Sequence, residues 1–356
     1  MRILFAGEWR FDFYEKACAQ ALEKLGVHVI PFQWDGYFRG MPGRAQSKFP
    51  VPGPAVRRLN KDLLELAEKS RPDAIFIWRG THILVSTLRT IKAATGAVLV
   101  SYNNDDPFGP EAHGHVPWHH HFYWNLYIKS IPNYDIHFVF RQINIQEILG
   151  EGAREAHVLM PFFTPELHYP VLLSETDRSN YECDVVFVGH YEPDGRLQCL
   201  RKLVEAGLNV KLFGGTYWTR KVLGDLADYF GETRSVYGPE YVKALCGARM
   251  CLSFLSKLNR DTYTTRCFEI PACGRLLLSE QTDDLRHMFR EAEEAVFFSS
   301  PEELVEKALR LKSRPDEIER ISAAGMRRVH LDCHSAEGRM KQFLAIVERS
   351  ITSYVG

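Results

Sequence analysis

The chain carries almost no net charge: 44 lysines and arginines stand against 45 aspartates and glutamates in 356 residues, a formal charge of −1. There is no basic excess and no like-charge tail to hold nucleic acid non-specifically. Long apolar runs are missing too. Nothing approaches the roughly 20 consecutive apolar residues that span a bilayer, and the opening MRILFAGEWR is too short a stretch for a secretory leader. The eight cysteines include no CxxC pair, which excludes a secreted disulfide framework and a zinc-knuckle spacing. Cys183, Cys246, Cys251, Cys267 and Cys273 sit in apolar contexts, where cysteine is usually a small core residue. No G-x-G-x-x-G follows a candidate strand, so a dinucleotide-dependent oxidoreductase is the least supported enzyme class. A cytoplasmic protein without a transmembrane segment is expected.

What is present is ordinary globular material, 45% hydrophobic and 12% aromatic, enough for two cores of roughly 150–200 residues each. Short apolar runs alternate with stretches of helical period. Strands are expected over 2–6, 27–32, 74–78, 97–102, 136–140 and 156–160, with helices such as 13–25 and 55–69 between them. Residues 33–54, rich in Gly and Pro, read as a long loop of the kind that serves as a lid. Residues 161–181 hold three prolines and no clear period, which suits an interdomain linker. Strands then resume at 184–188, 210–213, 250–255, 275–279 and 295–299, and 335–351 reads as a final amphipathic helix. Two strand–helix–strand series predict two doubly wound α/β domains facing each other. The expected boundaries are 1–165 for the first domain, 166–182 for the linker, 183–334 for the second domain and 335–356 for the last helix.

Ligands of such sheets bind at the carboxyl ends of the strands. In the second half those ends read Gly189-His190-Tyr191, Gly214-Gly215 and Tyr237-Gly238, with Pro239 opening a helix. Glycine there either makes a plain turn or lets backbone N–H groups approach a phosphate. The stretch from Asn259 to Ser279 is the most informative. A polar loop containing Asp261 leads through Thr264 and Thr265, either of which suits an N-cap, into a short helix that Gly274 ends. The start of that helix, with the Arg266 guanidinium beside it, forms a candidate anion site, and Glu269 lies about one turn further on.

These residues carry a resemblance. An acidic residue, a glutamate eight positions later, then small residues and a glycine resemble the donor-site signature of the GT-B glycosyltransferases of the glycogen synthase and mannosyltransferase superfamily. Here the positions are Asp261, where that family usually has Glu, then Glu269, Ala272 and Gly274. TTRCFEIPACGRLLLSEQTDDL together with SPEELVEKALRLKSRPDEIERISAAGMRRVHLDCHS is similar more closely to the CgeB-like glycosyltransferases, over roughly 184–343. The resemblance implies two Rossmann-like domains across a cleft, with the last helix crossing back to the first domain. It also implies a nucleotide-diphosphate sugar as donor, an acceptor it does not name, retention of configuration and no metal or cofactor. Glu269 would hold the ribose hydroxyls, Arg266 with Thr264 and Thr265 the diphosphate, and the turns at Gly189, Gly214 and Tyr237-Gly238 would border base and ribose.

Acceptor selection then falls to the first domain. Its strand-end candidates are Gly7, Glu8 and Arg10 after the first strand, and Asn104, Asp105 and Asp106 after the fourth. His82, close behind the third strand, joins Asp105 and Asp106 as a possible proton acceptor if the reaction inverts. Five of the fourteen histidines, His113, His115, His119, His120 and His121, fall within nine residues among aromatic neighbours. They suit an acceptor-facing loop, with His119 its representative, or else a metal site. Two rival readings follow: a metal-dependent hydrolase built on that cluster, and a nucleotide-sugar-binding protein without turnover.

Overall fold

The computed structural model describes residues 1–109 and 118–355. The chain divides into two compact units, Met1–Pro161 with Ala336–Gly356, and Phe162–Ser335. Each is built on one parallel sheet. In the first unit, β1 (Arg2–Gly7), β2 (His28–Gln33), β3 (Ala74–Trp78), β4 (Val98–Asn103), β5 (Ile136–Val139) and β6 (Ala156–Val158) lie in the order β2-β1-β3-β4-β5-β6. In the second, β7 (Cys183–Val188), β8 (Val210–Phe213), β9 (Ala248–Ser253), β10 (Leu276–Glu280) and β11 (Val296–Phe298) lie in the order β11-β10-β9-β7-β8.

The sequence of these strands explains their placement. β3 (AIFIW) is buried at every position and so is β7 (CDVVFV), because these are inner strands of parallel sheets covered by helices on both faces, whereas the edge strands β2 and β6 are only partly buried. Register follows from the matched runs: Leu4 of β1 stands opposite Ile30 of β2 and Ile75 of β3, and Val185 of β7 opposite Val210 and Met250. The strand order reverses between β1 and β3 in one sheet and between β7 and β9 in the other. A crevice opens at such a switch point, outside the carboxyl ends.

The helix Ala336–Val355 belongs to the first unit. Its Phe343 ring lies 4.5 Å from Phe76 and 5.1 Å from Phe138, which seats it on one face of the sheet. Residues 33–54 differ from the expected loop. They hold a 3₁₀ turn, Asp35–Phe38, and a helix, Gly40–Lys48, fastened to their surroundings by the Tyr37 hydroxyl donating to Asp62 at 2.8 Å and by Gln46 Oε1 accepting from the Ala55 N–H at 3.0 Å. The segment 166–182 lies within the second unit and ends in a helix, Glu175–Tyr181, whose cap is Ser174. Residues 235–237 join no sheet. Among the described residues no helix is long and apolar enough to cross a membrane.

Candidate functional site

In the second unit the chain leaves β9, crosses the polar loop and enters the helix Arg266–Ala272. Thr265 occupies the cap position, but with helical dihedrals and no side-chain cap bond. The first turn closes on main-chain atoms alone, the Thr264 carbonyl accepting from Cys267 N–H at 3.0 Å. The threonines therefore do not cap the helix as the sequence suggests, because the loop already runs in helical conformation before it.

Glu269, 6% exposed, faces inward from this helix. Its Oε2 accepts a hydrogen bond of 2.7 Å from the Tyr241 hydroxyl, and its Oε1 lies 3.7 Å from His168 Nε2. His168 Nδ1 accepts the Thr164 N–H at 3.0 Å, so the ring proton sits on Nε2, toward the carboxylate. Burial drives the Tyr241 hydroxyl pKa well up, the Glu269 carboxylate adds to this, and the Arg266 guanidinium partly opposes it. Arg266 itself makes no ion pair among the described residues. Its guanidinium lies 5.9 Å from the Phe187 ring centroid at the end of β7, and its Nε is buried without a hydrogen-bond partner. The residue as a whole is half-buried, so the cost of leaving a donor unpaired falls on that one buried N–H.

The loop after β7 is held rigidly. Arg196, 2% exposed, pairs with Asp194, donates to the His190 carbonyl at 2.6 Å and lies 5.8 Å from the ring centroids of both Phe187 and Phe254. Burial tends to raise the Glu192 carboxyl, but hydrogen bonding from His190, the Arg196 charge and the Ser256 hydroxyl outweigh it and hold it at about 2. Ser256 follows β9, so Glu192 ties the two loops that flank the switch point. The glycines on the β8 side are packed rather than open. A Cβ at Gly214 would meet the Gly189 carbonyl oxygen at 2.2 Å and Trp218 Nε1 at 2.4 Å, and one at Gly215 would meet Ser235 Oγ at 2.2 Å. The protein's own atoms take the space that the sequence offers to a ligand. Tyr191 likewise leans on Trp218, ring centroids 5.3 Å apart. His190 and Tyr217 form a surface pair, ring centroids 5.5 Å apart. Tyr237 is exposed, and Gly238, with φ of +52°, has open space where a Cβ would stand.

Arg266 and Gly189 thus both lie against the Phe187 ring of β7, and Glu269 follows Arg266 by one turn, with Tyr241 and His168 beside its carboxylate. Neither Tyr241 nor His168 carries a motif that would have singled it out. Asp261 lines a cavity of about 460 Å³ at the ends of β7, β9, β10 and β11, with Asp194, Lys257 and Glu280, and neither Arg266 nor Glu269 is part of that lining.

In the first unit the strand-end candidates are mostly engaged. The turn Gly7-Glu8 is filled by the Glu15 carboxylate, which accepts the Glu8 N–H at 2.9 Å and lies where a Cβ on Gly7 would be 2.7 Å from Oε1. Burial raises the Glu15 pKa against the pull of those backbone N–H groups. Arg10 is exposed, its guanidinium 5.3 Å from the Phe11 ring centroid. Asn104 accepts from Trp78 Nε1 at 3.1 Å. Asp106, 1% exposed, accepts from Phe108 N–H at 3.0 Å and Asn144 Nδ2 at 2.9 Å, both at Oδ1, so it is engaged in shaping the loop.

His82 is also taken out of contention. It is 2% exposed, with Nε2 3.2 Å from the Ser47 carbonyl and Nδ1 3.0 Å from the Thr81 hydroxyl. Both nitrogens are used, and burial pushes its pKa down to about 4. Asp105 is paired with Arg79, a residue at φ +69° just after β3 whose pKa rises despite burial because of Asp105 and, more weakly, Tyr123 and Glu8. His113 and His115 lie outside the described residues; His119, His120 and His121 fall in the helix Trp118–Ser130, with their side chains outside the described residues.

The geometry can be set beside known proteins. Residues 196–345 match the family model described as glycosyl transferase-like. No curated protein sequence matches the chain. Among solved structures it is similar to sucrose-phosphate synthase from Thermosynechococcus elongatus, at 13% identity and a TM-score of 0.69, covering 99% of this chain and 100% of the other. It is also similar to HepE from Anabaena in complex with UDP and glucose, at 10% identity and 0.66, covering 98% and 100%. The Escherichia coli trehalose-6-phosphate protein bound with UDP-2-fluoro glucose aligns at 12% and 0.65, covering 98% and 99%. At these identities the likeness establishes architecture, and that architecture is the two-sheet GT-B fold of glycosyltransferases.

Proposed function

We propose that the chain is a CgeB-like glycosyltransferase that moves a sugar from a nucleotide-diphosphate sugar to a hydroxyl acceptor in the cytoplasm. The observation that carries this reading is the pair on one short helix: Arg266, a guanidinium without a counter-ion among the described residues, and Glu269, one turn on, with a single oxygen hydrogen-bonded. A diphosphate answers the first and ribose hydroxyls answer the second. UDP is the natural first donor moiety to try, since HepE is known in complex with UDP-glucose. Thr264 and Thr265, with hydroxyls not spent on capping, line the approach to the diphosphate.

In this scheme the acceptor oxygen bonds to the anomeric carbon as the bond from that carbon to the β-phosphate oxygen breaks. The electron pair leaves with the nucleoside diphosphate, and Arg266 stabilises the charge that develops there. The acceptor proton passes to the departing phosphate oxygen, the course expected for retention. The engagement of His82 and Asp106 supports a reaction without a dedicated base in the first unit. No metal is required in the scheme, because the guanidinium supplies the positive charge.

Calorimetric titration of UDP into the wild-type chain, Arg266→Ala and Glu269→Ala tests the reading. Each loses a hydrogen bond to a charged group, so affinity should fall roughly 10- to 100-fold while both ligand-free variants remain folded. Unchanged affinity in both variants would remove the donor site. UDP-glucose that binds but is neither hydrolysed nor transferred with any acceptor would instead support the reading without turnover.

A further inference from the structure

Glu269 is an unusual buried carboxylate. A carboxylate taken out of water normally has its lone pairs met by donors, yet here only Oε2 receives a hydrogen bond, from Tyr241 at 2.7 Å. At 3.7 Å, His168 Nε2 is beyond hydrogen-bond reach of Oε1. The two neighbours sit on separate elements: Tyr241 on the helix Pro239–Cys246 and His168 in the segment before β7. Tyr241 thus pulls the carboxylate to one side and keeps a gap on the other.

We propose that Tyr241 is a positioning residue that holds Glu269 so that Oε1 is presented to a ribose hydroxyl, and that the site thereby distinguishes ribonucleotides from deoxyribonucleotides. This rests on the donor-site reading above. The Tyr241 hydroxyl stays protonated at any working pH, burial keeping it so, and it can only donate toward a carboxylate. Without it, the carboxylate is free to turn toward the His168 Nε2–H and close the gap. The ribose then loses its acceptor although Glu269 is still present. His168 cannot turn its proton away, since Nδ1 is committed to the Thr164 N–H.

The test measures binding of UDP, 2′-deoxy-UDP and 3′-deoxy-UDP by calorimetry to the full chain, Tyr241→Phe, Glu269→Gln and the double variant. The wild type should favour UDP over at least one deoxy analogue by about tenfold, the value of a hydrogen bond to a charged group. Tyr241→Phe should lose most of that preference while its affinity for the disfavoured analogue stays within about twofold, and adding it to Glu269→Gln should change nothing further. A merely structural tyrosine would weaken all three ligands alike. If Tyr241→Phe does not fold, a crystal structure of the wild-type chain with UDP reads the same point: the Tyr241 hydroxyl still donating to Oε2 while Oε1 meets a ribose hydroxyl supports the proposal, and a carboxylate that leaves Tyr241 to meet the ribose overturns it. UDP binding with a ribose preference that survives the substitution, or with none to begin with, overturns the role of Tyr241 and leaves the donor site standing. Failure of the wild type to bind any of the three overturns both.

Discussion

A methyl group at position 214 has nowhere to go. Gly214 is in extended backbone, so the constraint is space and not dihedral strain: the Gly189 carbonyl and the Trp218 indole already occupy the position of a Cβ, and that indole donates to the same carbonyl at 2.8 Å. Gly214→Ala must push the β7 and β8 loops apart and should cost about 1–3 kcal/mol, the usual range for overpacking, read as a lowered midpoint in urea. A sequence announces that some atom comes close to such a glycine without saying whether it belongs to a ligand or to the chain. The same gap explains the rest of the site. Arg266 and Glu269 stand out in the sequence because one opens a short helix beside a candidate anion site and the other lies eight positions after Asp261 in a pattern that resembles a donor-site signature, whereas Tyr241 and His168 look like any helix tyrosine and loop histidine until folding places them against a carboxylate. Asp106 and His82 err the other way: they are conspicuous, and the fold spends them on hydrogen bonds.

Glu15 offers a sharper test at the same scale. Its pKa in the folded chain is raised by burial, so the folded state prefers it protonated, and its ionised form at neutral pH is a cost. Its oxygen nevertheless satisfies the Glu8 N–H. Glu15→Gln keeps an acceptor without the charge and should leave stability at pH 7 unchanged or slightly higher. Glu15→Ala strands the N–H and should cost about 1–3 kcal/mol. Equal losses in the two variants, measured by thermal melting, would count against this account.

Elements were legible to the degree that their own residues dictate them. The eleven strands among the described residues fall within two residues of the apolar runs that announce them, and the clearest are central strands such as β3 and β7, which are buried on both faces and so are written as continuous runs. The helix Gly40–Lys48 was not legible: GMPGRAQSK has two glycines, a proline and little apolar periodicity, and reads as a loop. Its stability comes from elsewhere. Gln46 reaches across to the first turn of the helix Pro54–Ser70 and accepts from the N–H groups of Ala55 and Val56, the work that a capping side chain normally does from within. His82 holds the Ser47 carbonyl beside it. Gln46→Ala should therefore cost about 1–2 kcal/mol, as loss of a cap does, and should speed amide exchange through residues 40–56 while leaving UDP affinity unchanged. Exchange confined to residue 46 and its neighbours would show the helix to be self-supporting.

At the scale of the whole molecule, the two units differ in what acid does to them. The first unit buries two neutral histidines, His82 and His137, each pushed by burial down to about 4 from an ordinary value of 6.5. The unfolded chain takes up these protons as pH falls through 6.5 and the folded chain does not until about 4, so stability present above 6.5 is lost across that window, at up to about 3 kcal/mol for each histidine. Glu15 opposes this with the reverse sign, one group against two. In the second unit the corresponding group is Glu192, held at about 2 against 4.5, whose contribution is complete above 4.5 and drains away only as pH falls toward 2. Between pH 6.5 and 4.5 the loss should accordingly fall on the first unit. Hydrogen exchange followed by mass spectrometry at pH 7 and pH 5, corrected for intrinsic rates, should show β3, β4 and β5 losing protection while β7 and β9 keep theirs. Equal loss in the two sheets, or a titration of all fourteen histidines above pH 5 in carbon-13 spectra, would mean that these two rings are not sealed from water as the structure has them, and with that His82 would return as a candidate to receive the acceptor's proton.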